Sequence, residues 1–308
     1  MKFLRWSIPF LISALLLAWV FQGMEWGELR DKLTFETVQV FGPALIAFLA
    51  VSLLIEAVCL VDVVSHSHHM PSLLVAARIK AASYPLGILN YALGIGAVTL
   101  LLRRRVGMSL QEAAGAVGVI GLFDLGSLIA IIAVGAALMG AETPGVQAGV
   151  LAAVAAAIGI GFATLRAPFS LGWIDRLRDL PILHAARTLP LSVLVRLACL
   201  RLIFTGNFIA LGWAVLAGFG VDGIPLLSLA VNISVLLVVA ALPIAAAGLG
   251  TGQWVFVELF KPWADPATLL AASLTLSLGL IVTRAAIGLV FAREFTAEAL
   301  AAQKEEEA

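Results

Sequence analysis

Charge is what this sequence lacks most. Asp, Glu, Lys and Arg make up 12% of its 308 residues, against 62% hydrophobic residues. Mean hydropathy is +1.07. No soluble chain of this length has that balance. Cysteine is nearly absent too. Cys59 and Cys199 both lie inside apolar runs, so no disulfide framework is implied and both read as packing residues. The period-two alternation of an outer-membrane barrel is missing. So are a nucleotide-binding loop, a nucleophile elbow and an HExxH metal motif. No cofactor and no nucleic-acid partner is expected. The net charge of zero says little, because charges of each sign are segregated along the chain.

What is present is a series of long apolar runs separated by short charged loops. This is the pattern of an all-α polytopic integral membrane protein. The clear spans are Ser7–Met24, Val40–Val64, Ala116–Gly140, Val146–Leu165, Leu191–Gly218 and Thr268–Ala292. Lys2 and Arg5 precede the first. No small-x-small cleavage site closes that run, so it reads as a retained helix rather than a signal peptide. Two regions are ambiguous, Tyr84–Leu102 and Pro225–Phe260.

Positive charge near span ends marks the cytoplasmic side. Lys2 and Arg5 place the N-terminus inside, and the acid-rich loop from Glu25 to Gln39 outside. Arg78 and Lys80 then mark an inner loop after the second span. If Tyr84–Leu102 crossed, Arg103, Arg104, Arg105, Arg166, Arg176, Arg178 and Arg187 would all face out. The Ala141–Gly145 loop, with no Lys or Arg, would face in. That inverts the rule three times. A segment that enters and returns restores it everywhere. Pro85, Gly87, Asn90, Gly94 and Gly96 interrupt helical hydrogen bonding there, which predicts a turn near Asn90–Gly96. Pro225–Phe260 follows the same logic, with its break at LPIAAAGLGTGQ, residues Leu242 to Gln253, and Trp254–Phe260 returning outward.

About six full transmembrane helices plus two broken re-entrant elements result, in an inverted repeat. The first half spans 1–140, with its element at 84–102. The second spans 141–293, with its element at 225–260. A cytoplasmic tail covers 294–308. Both termini are expected in the cytoplasm. Transporters of this kind place their sites near the midplane, where broken elements meet.

Two stretches carry a family resemblance: NYALGIGAVTLLLRRRVGMSLQEAAGAVGVIGLFDL, Asn90 to Leu125, and LPIAAAGLGTGQ. Together they resemble the transmembrane region of lysylphosphatidylglycerol synthases and their stand-alone flippase-like relatives. The shared features are Asn90, Gly96, the arginine cluster, the Met108–Ala113 turn and Asp124. The resemblance implies movement of anionic lipids or lipid-linked sugars between leaflets of a bacterial inner membrane. The chain runs only to Ala308, so the synthases' aminoacyl-transferase domain is not expected. The pattern departs where the family carries charge, at Ala97, at Ile120 and Gly121, and at Gly252 and Gln253.

Ionisable residues deep in a span have a partner or a task. Arg201 lies about ten residues into its span, on the order of 15 Å, and Arg284 lies roughly 13 Å before Arg293. Asp124 and Glu56 reach similar depths. The two arginines either bind a lipid phosphate or are neutralised by Asp124 or Glu56. Arg196, nearer the surface, either joins that site or snorkels. Asn90 and Gln253 sit at backbone breaks and complete the candidate substrate site. Asn207 and Asn232 read as interhelical hydrogen-bonding residues. His66, His68 and His69 lie near Asp62, where zinc is conceivable, but too few spaced ligands accompany them and no metal site is expected. The expected function is a flippase-like transporter of an anionic lipid or a polyprenyl-phosphate-linked lipid, and not an enzyme. A membrane enzyme acting on lipid headgroups remains open. So does a non-catalytic subunit of a lipid or envelope biosynthesis complex. Its partners are membrane lipids, with a homo-oligomer or a biosynthetic partner left open.

Overall fold

The computed structural model describes residues 34–70, 72–89, 91–140, 144–166, 180–241 and 250–306. Every regular element among them is a helix. They are α1 (Phe35–Val64), α2 (Leu73–Leu89), α3 (Tyr91–Val106), α4 (Leu110–Gly140), α5 (Pro144–Arg166), α6 (Pro181–Thr188), α7 (Leu191–Gly218), α8 (Leu226–Ala241), α9 (Thr251–Phe260) and α10 (Pro266–Glu306). Four are long and apolar enough to cross a membrane: α1, α4, α7 and the Pro266–Phe291 part of α10. The expected span Val146–Leu165 lies within α5. The expected span Ser7–Met24 lies outside the described residues.

Helices α1 and α7 form an antiparallel pair stitched at three depths. Thr37 Oγ1 donates to the Gly218 carbonyl at 2.8 Å. Asn207 Nδ2 donates to the Phe48 carbonyl and to Ser52 Oγ, both at 3.0 Å. Arg196 Nε pairs with Asp62 Oδ2 at 3.0 Å. Helix α4 runs parallel to α7, since Asp124 meets Arg201 and Ser127 meets Thr205 one turn on. Helix α10 runs with α1, its Gly279 seated against Phe41 and Leu45.

Two apolar cores occupy opposite ends of the bundle. One gathers Ile55 to Val64 of α1, Ile79 of α2, Leu101 and Leu102 of α3, Ala113 to Ile120 of α4, and Leu194 and Leu197 of α7. The other gathers Phe41 to Leu49 of α1, Leu211 to Leu216 of α7, Ile233, Phe256, Phe260 and Leu269 to Leu276.

Between α1 and α4 the chain makes a hairpin, α2–α3, that starts and finishes at the first core. Its arms approach backbone to backbone. A Cβ on Gly94 would stand 2.8 Å from the Gly87 Cα, so glycine is needed there. The sequence-based boundaries need correction. Arg78 and Lys80, expected in a loop, are helical, because α2 already begins at Leu73. Helix α3 begins at Tyr91, so Gly94 and Gly96 are helical rather than part of a turn. Pro85 also lies inside a helix. Asn90, between the arms, is outside the described residues. A second hairpin, α8–α9, starts and finishes at the second core, and Asn232 Nδ2 joins its arms by donating to the Leu259 carbonyl at 3.0 Å. Gly250, at φ 93°, opens α9 in a conformation that L side chains rarely adopt.

Short α6 packs across the start of α4. Gly115 and Gly118 make room, since a Cβ on Gly118 would stand 2.3 Å from Ile182 Cγ1. The start of α4 is a capping box: the Ser109 N–H donates to Glu112 Oε2 at 2.9 Å, and the Glu112 N–H to Ser109 Oγ at 3.2 Å. That accounts physically for the Met108–Ala113 turn. Helix α10 continues through the expected tail as far as Glu306.

Candidate functional site

A layer of ionisable side chains lies between the two cores. Five helices contribute: α1 gives Glu56, α2 gives Lys80 and Tyr84, α4 gives Asp124, α7 gives Arg201, and α10 gives Arg284. Apolar side chains surround it on both sides. An ion at this depth is costly unless it is paired and hydrogen-bonded.

Glu56 is held twice by the first hairpin. Lys80 Nζ stands 2.8 Å from its Oε1. Tyr84 Oη donates to its Oε2, also at 2.8 Å. Lys80 and Tyr84 are four residues apart on one helix, so both project from one face. The positive charges of Lys80, Arg201 and Arg284 all act on Glu56.

Arg201 is 1% exposed and is the largest fully buried side chain in the protein's described residues. Its Nη1 donates to Asp124 Oδ1 at 2.9 Å. Its guanidinium carbon lies 4.9 Å from the Phe204 ring centroid, a cation–π contact. Its Nε and Nη2 have no hydrogen-bond partner among the described residues. A second tie backs the pair: Ser127 Oγ and Thr205 Oγ1 meet across the two helices at 3.1 Å, one turn on from it. Of the two alternatives open for Arg201, this geometry is the ion pair with Asp124.

Arg284 differs. Its guanidinium carbon lies 5.6 Å from the Tyr84 centroid and 5.9 Å from that of Phe208. Phe208 is itself fixed edge-on to Phe48, with centroids 4.5 Å apart. Neither deep carboxylate pairs with Arg284: Glu56 is taken by Lys80 and Asp124 by Arg201. Arg284 is partly buried and has no ion-pair partner among the described residues.

The other candidates separate from this layer. Gln253 is fully buried, but its amide is spent on structure. Its Oε1 accepts from the Gly250 N–H, closing the first turn of α9, and its Nε2 donates to Ser277 Oγ at 3.0 Å. Arg196 pairs with Asp62 and leaves 63% of its side chain exposed. Asn90 lies outside the described residues. His68 Nε2 comes within 3.9 Å of Glu112, a residue of the α4 capping box. His66, Ser109, Glu112 and His184 line a groove of about 600 Å³ beside α6.

Sequence reasoning missed Lys80, Tyr84 and Phe208. Lys80 reads as a topology marker because its sequence neighbour Arg78 is also basic. The available signal was the i, i+4 spacing of Lys80 and Tyr84. No protein family, curated protein or solved structure matches the chain.

Proposed function

We propose that the protein moves an anionic, phosphate-bearing lipid between the leaflets of a bacterial inner membrane, with both termini cytoplasmic. In this reading α2–α3 and α8–α9 dip into the membrane from opposite faces without crossing it, as the two halves of an inverted repeat. The resemblance to the transmembrane region of lysylphosphatidylglycerol synthases points the same way. The single observation that carries the proposal is Arg284: a guanidinium at membrane depth, bedded on two aromatic rings, with both neighbouring carboxylates already occupied. A guanidinium stays protonated and presents a fixed fork of donors, which suits a phosphate. Arg201 and Asp124 organise the layer beside it, and Glu56 with Lys80 ties the first hairpin to it.

The test is a leaflet-specific lipid assay with purified protein in liposomes. Arg284→Gln is expected to insert at normal abundance and lose transport. Arg284→Lys is expected to recover part of it, because an ammonium lacks the fork. Full transport by Arg284→Gln would remove this site from the mechanism.

A further inference from the structure

Among the described residues, the charges of this partly buried layer do not cancel. Three cations, Lys80, Arg201 and Arg284, stand against two carboxylates, Glu56 and Asp124. The two ion pairs are each neutral, so among the described residues the layer holds one uncompensated positive charge, and it sits on Arg284. The neighbouring charges are matched: Lys80 Nζ on Glu56 at 2.8 Å, with Tyr84 Oη also on Glu56 at 2.8 Å, and Arg201 Nη1 on Asp124 at 2.9 Å, while Arg201 Nε and Nη2 have no partner among the described residues. The next ion pair along the α1–α7 seam, Asp62 with Arg196, is also neutral.

Resting on the transport reading, we infer that the site selects its lipid by charge count. It takes a phosphodiester with one negative charge and rejects a phosphomonoester dianion. A phosphodiester monoanion on Arg284 brings the layer to zero. A dianion leaves one negative charge with no cation to match it, in surroundings where an uncompensated charge is expensive. The substrate class is therefore a phospholipid diester, or a lipid joined through a single phosphate to a sugar. A free lipid phosphate or a lipid pyrophosphate carries too much charge. Glu56 sets the count, because it holds Lys80 out of use.

The experiment compares fluorescent phosphatidylglycerol, phosphatidic acid and phosphatidylcholine in liposomes containing the full chain, at pH 8 and pH 5. The second ionisation of a phosphate monoester falls near pH ~6, so phosphatidic acid is a dianion in the first condition and a monoanion in the second. Phosphatidylglycerol is expected to move on the order of tenfold faster than phosphatidic acid at pH 8. At pH 5 the gap is expected to close. Equal rates at pH 8, or the same ratio at both pH values, would overturn the charge count while leaving anionic-lipid transport intact. Phosphatidylcholine moving as fast as phosphatidylglycerol would instead overturn the transport reading. Glu56→Gln adds a second arm. It keeps an acceptor for Tyr84 and frees Lys80, so the preference at pH 8 is expected to turn toward phosphatidic acid. An unchanged preference in a stable Glu56→Gln protein would also overturn the inference. The wild-type pH comparison stands without it.

Discussion

The two hairpins occupy equivalent places at opposite ends of the bundle, yet they are fastened by different chemistry. The first is tied to α1 by an ion pair and a charge-assisted hydrogen bond, both on Glu56. The second is fastened by neutral amides, with Asn232 joining its arms and Gln253 anchoring it to α10. A neutral amide fixes position without committing charge to the membrane interior. An ion pair also fixes position, but it can be reorganised by any new charge that arrives. Of the two hairpins, the first is thus the one that, among the described residues, is fastened to the bundle through charge.

That comparison can be broken outright by accessibility. Single cysteines replacing Arg104, at the end of the first hairpin, and Lys261, just past the second, should label from opposite faces of intact cells. Arg104→Cys is expected to react from the cytoplasm and Lys261→Cys from outside. Labelling from one common face would end the inverted arrangement. Next in size is Lys80→Met, which strands Glu56. It is expected to destabilise the protein by about 3–5 kcal/mol, and the Lys80→Met/Glu56→Gln double variant should recover most of it. Thermal melting of detergent-purified protein measures both. Gln253→Leu should cost less, about 1–3 kcal/mol, because it leaves the Gly250 N–H and Ser277 Oγ unsatisfied without exposing a charge. Smallest is Asn232→Leu, roughly 0.6–1.7 kcal/mol. If the two amide variants proved as damaging as Lys80→Met, the ionic and neutral distinction would lose its meaning.

The relative directions of the long helices were legible in the sequence. Charge placement predicted that α4 and α7 run opposite to α1 and α10, and the side-chain pairings agree. The breaks were legible as Gly and Pro clusters: the helices flanking the second end at Ala241 and resume at Thr251, but those flanking the first end at Leu89 and resume at Tyr91, a far narrower gap than the glycines suggest. Gly94 is helical and serves close approach, a need that depends on Gly87 from the other arm and leaves no local trace. Lys80 shows the deeper limit. A charge rule sees a basic residue near a span end and assigns it to the surface, whereas its partner Glu56 lies in another helix. Gln253 shows the converse: a polar residue at a break reads as a binding group, and what the fold shows is its amide capping α9. Arg284 was singled out by depth alone, and its aromatic bed needs two further helices that only folding brings together.

The contact between Gly87 and Gly94 has a mechanical consequence. Two arms that meet through bare backbone have no side-chain layer between them to compress or slide. Changes of rotamer cannot let them slide at that point, so the contact locks the two arms together. Gly288 of α10 meets the same arm lower down, where a Cβ would stand 2.4 Å from the Pro85 ring. The arm that carries Lys80 and Tyr84 is thereby held against the helix that carries Arg284, one turn from it.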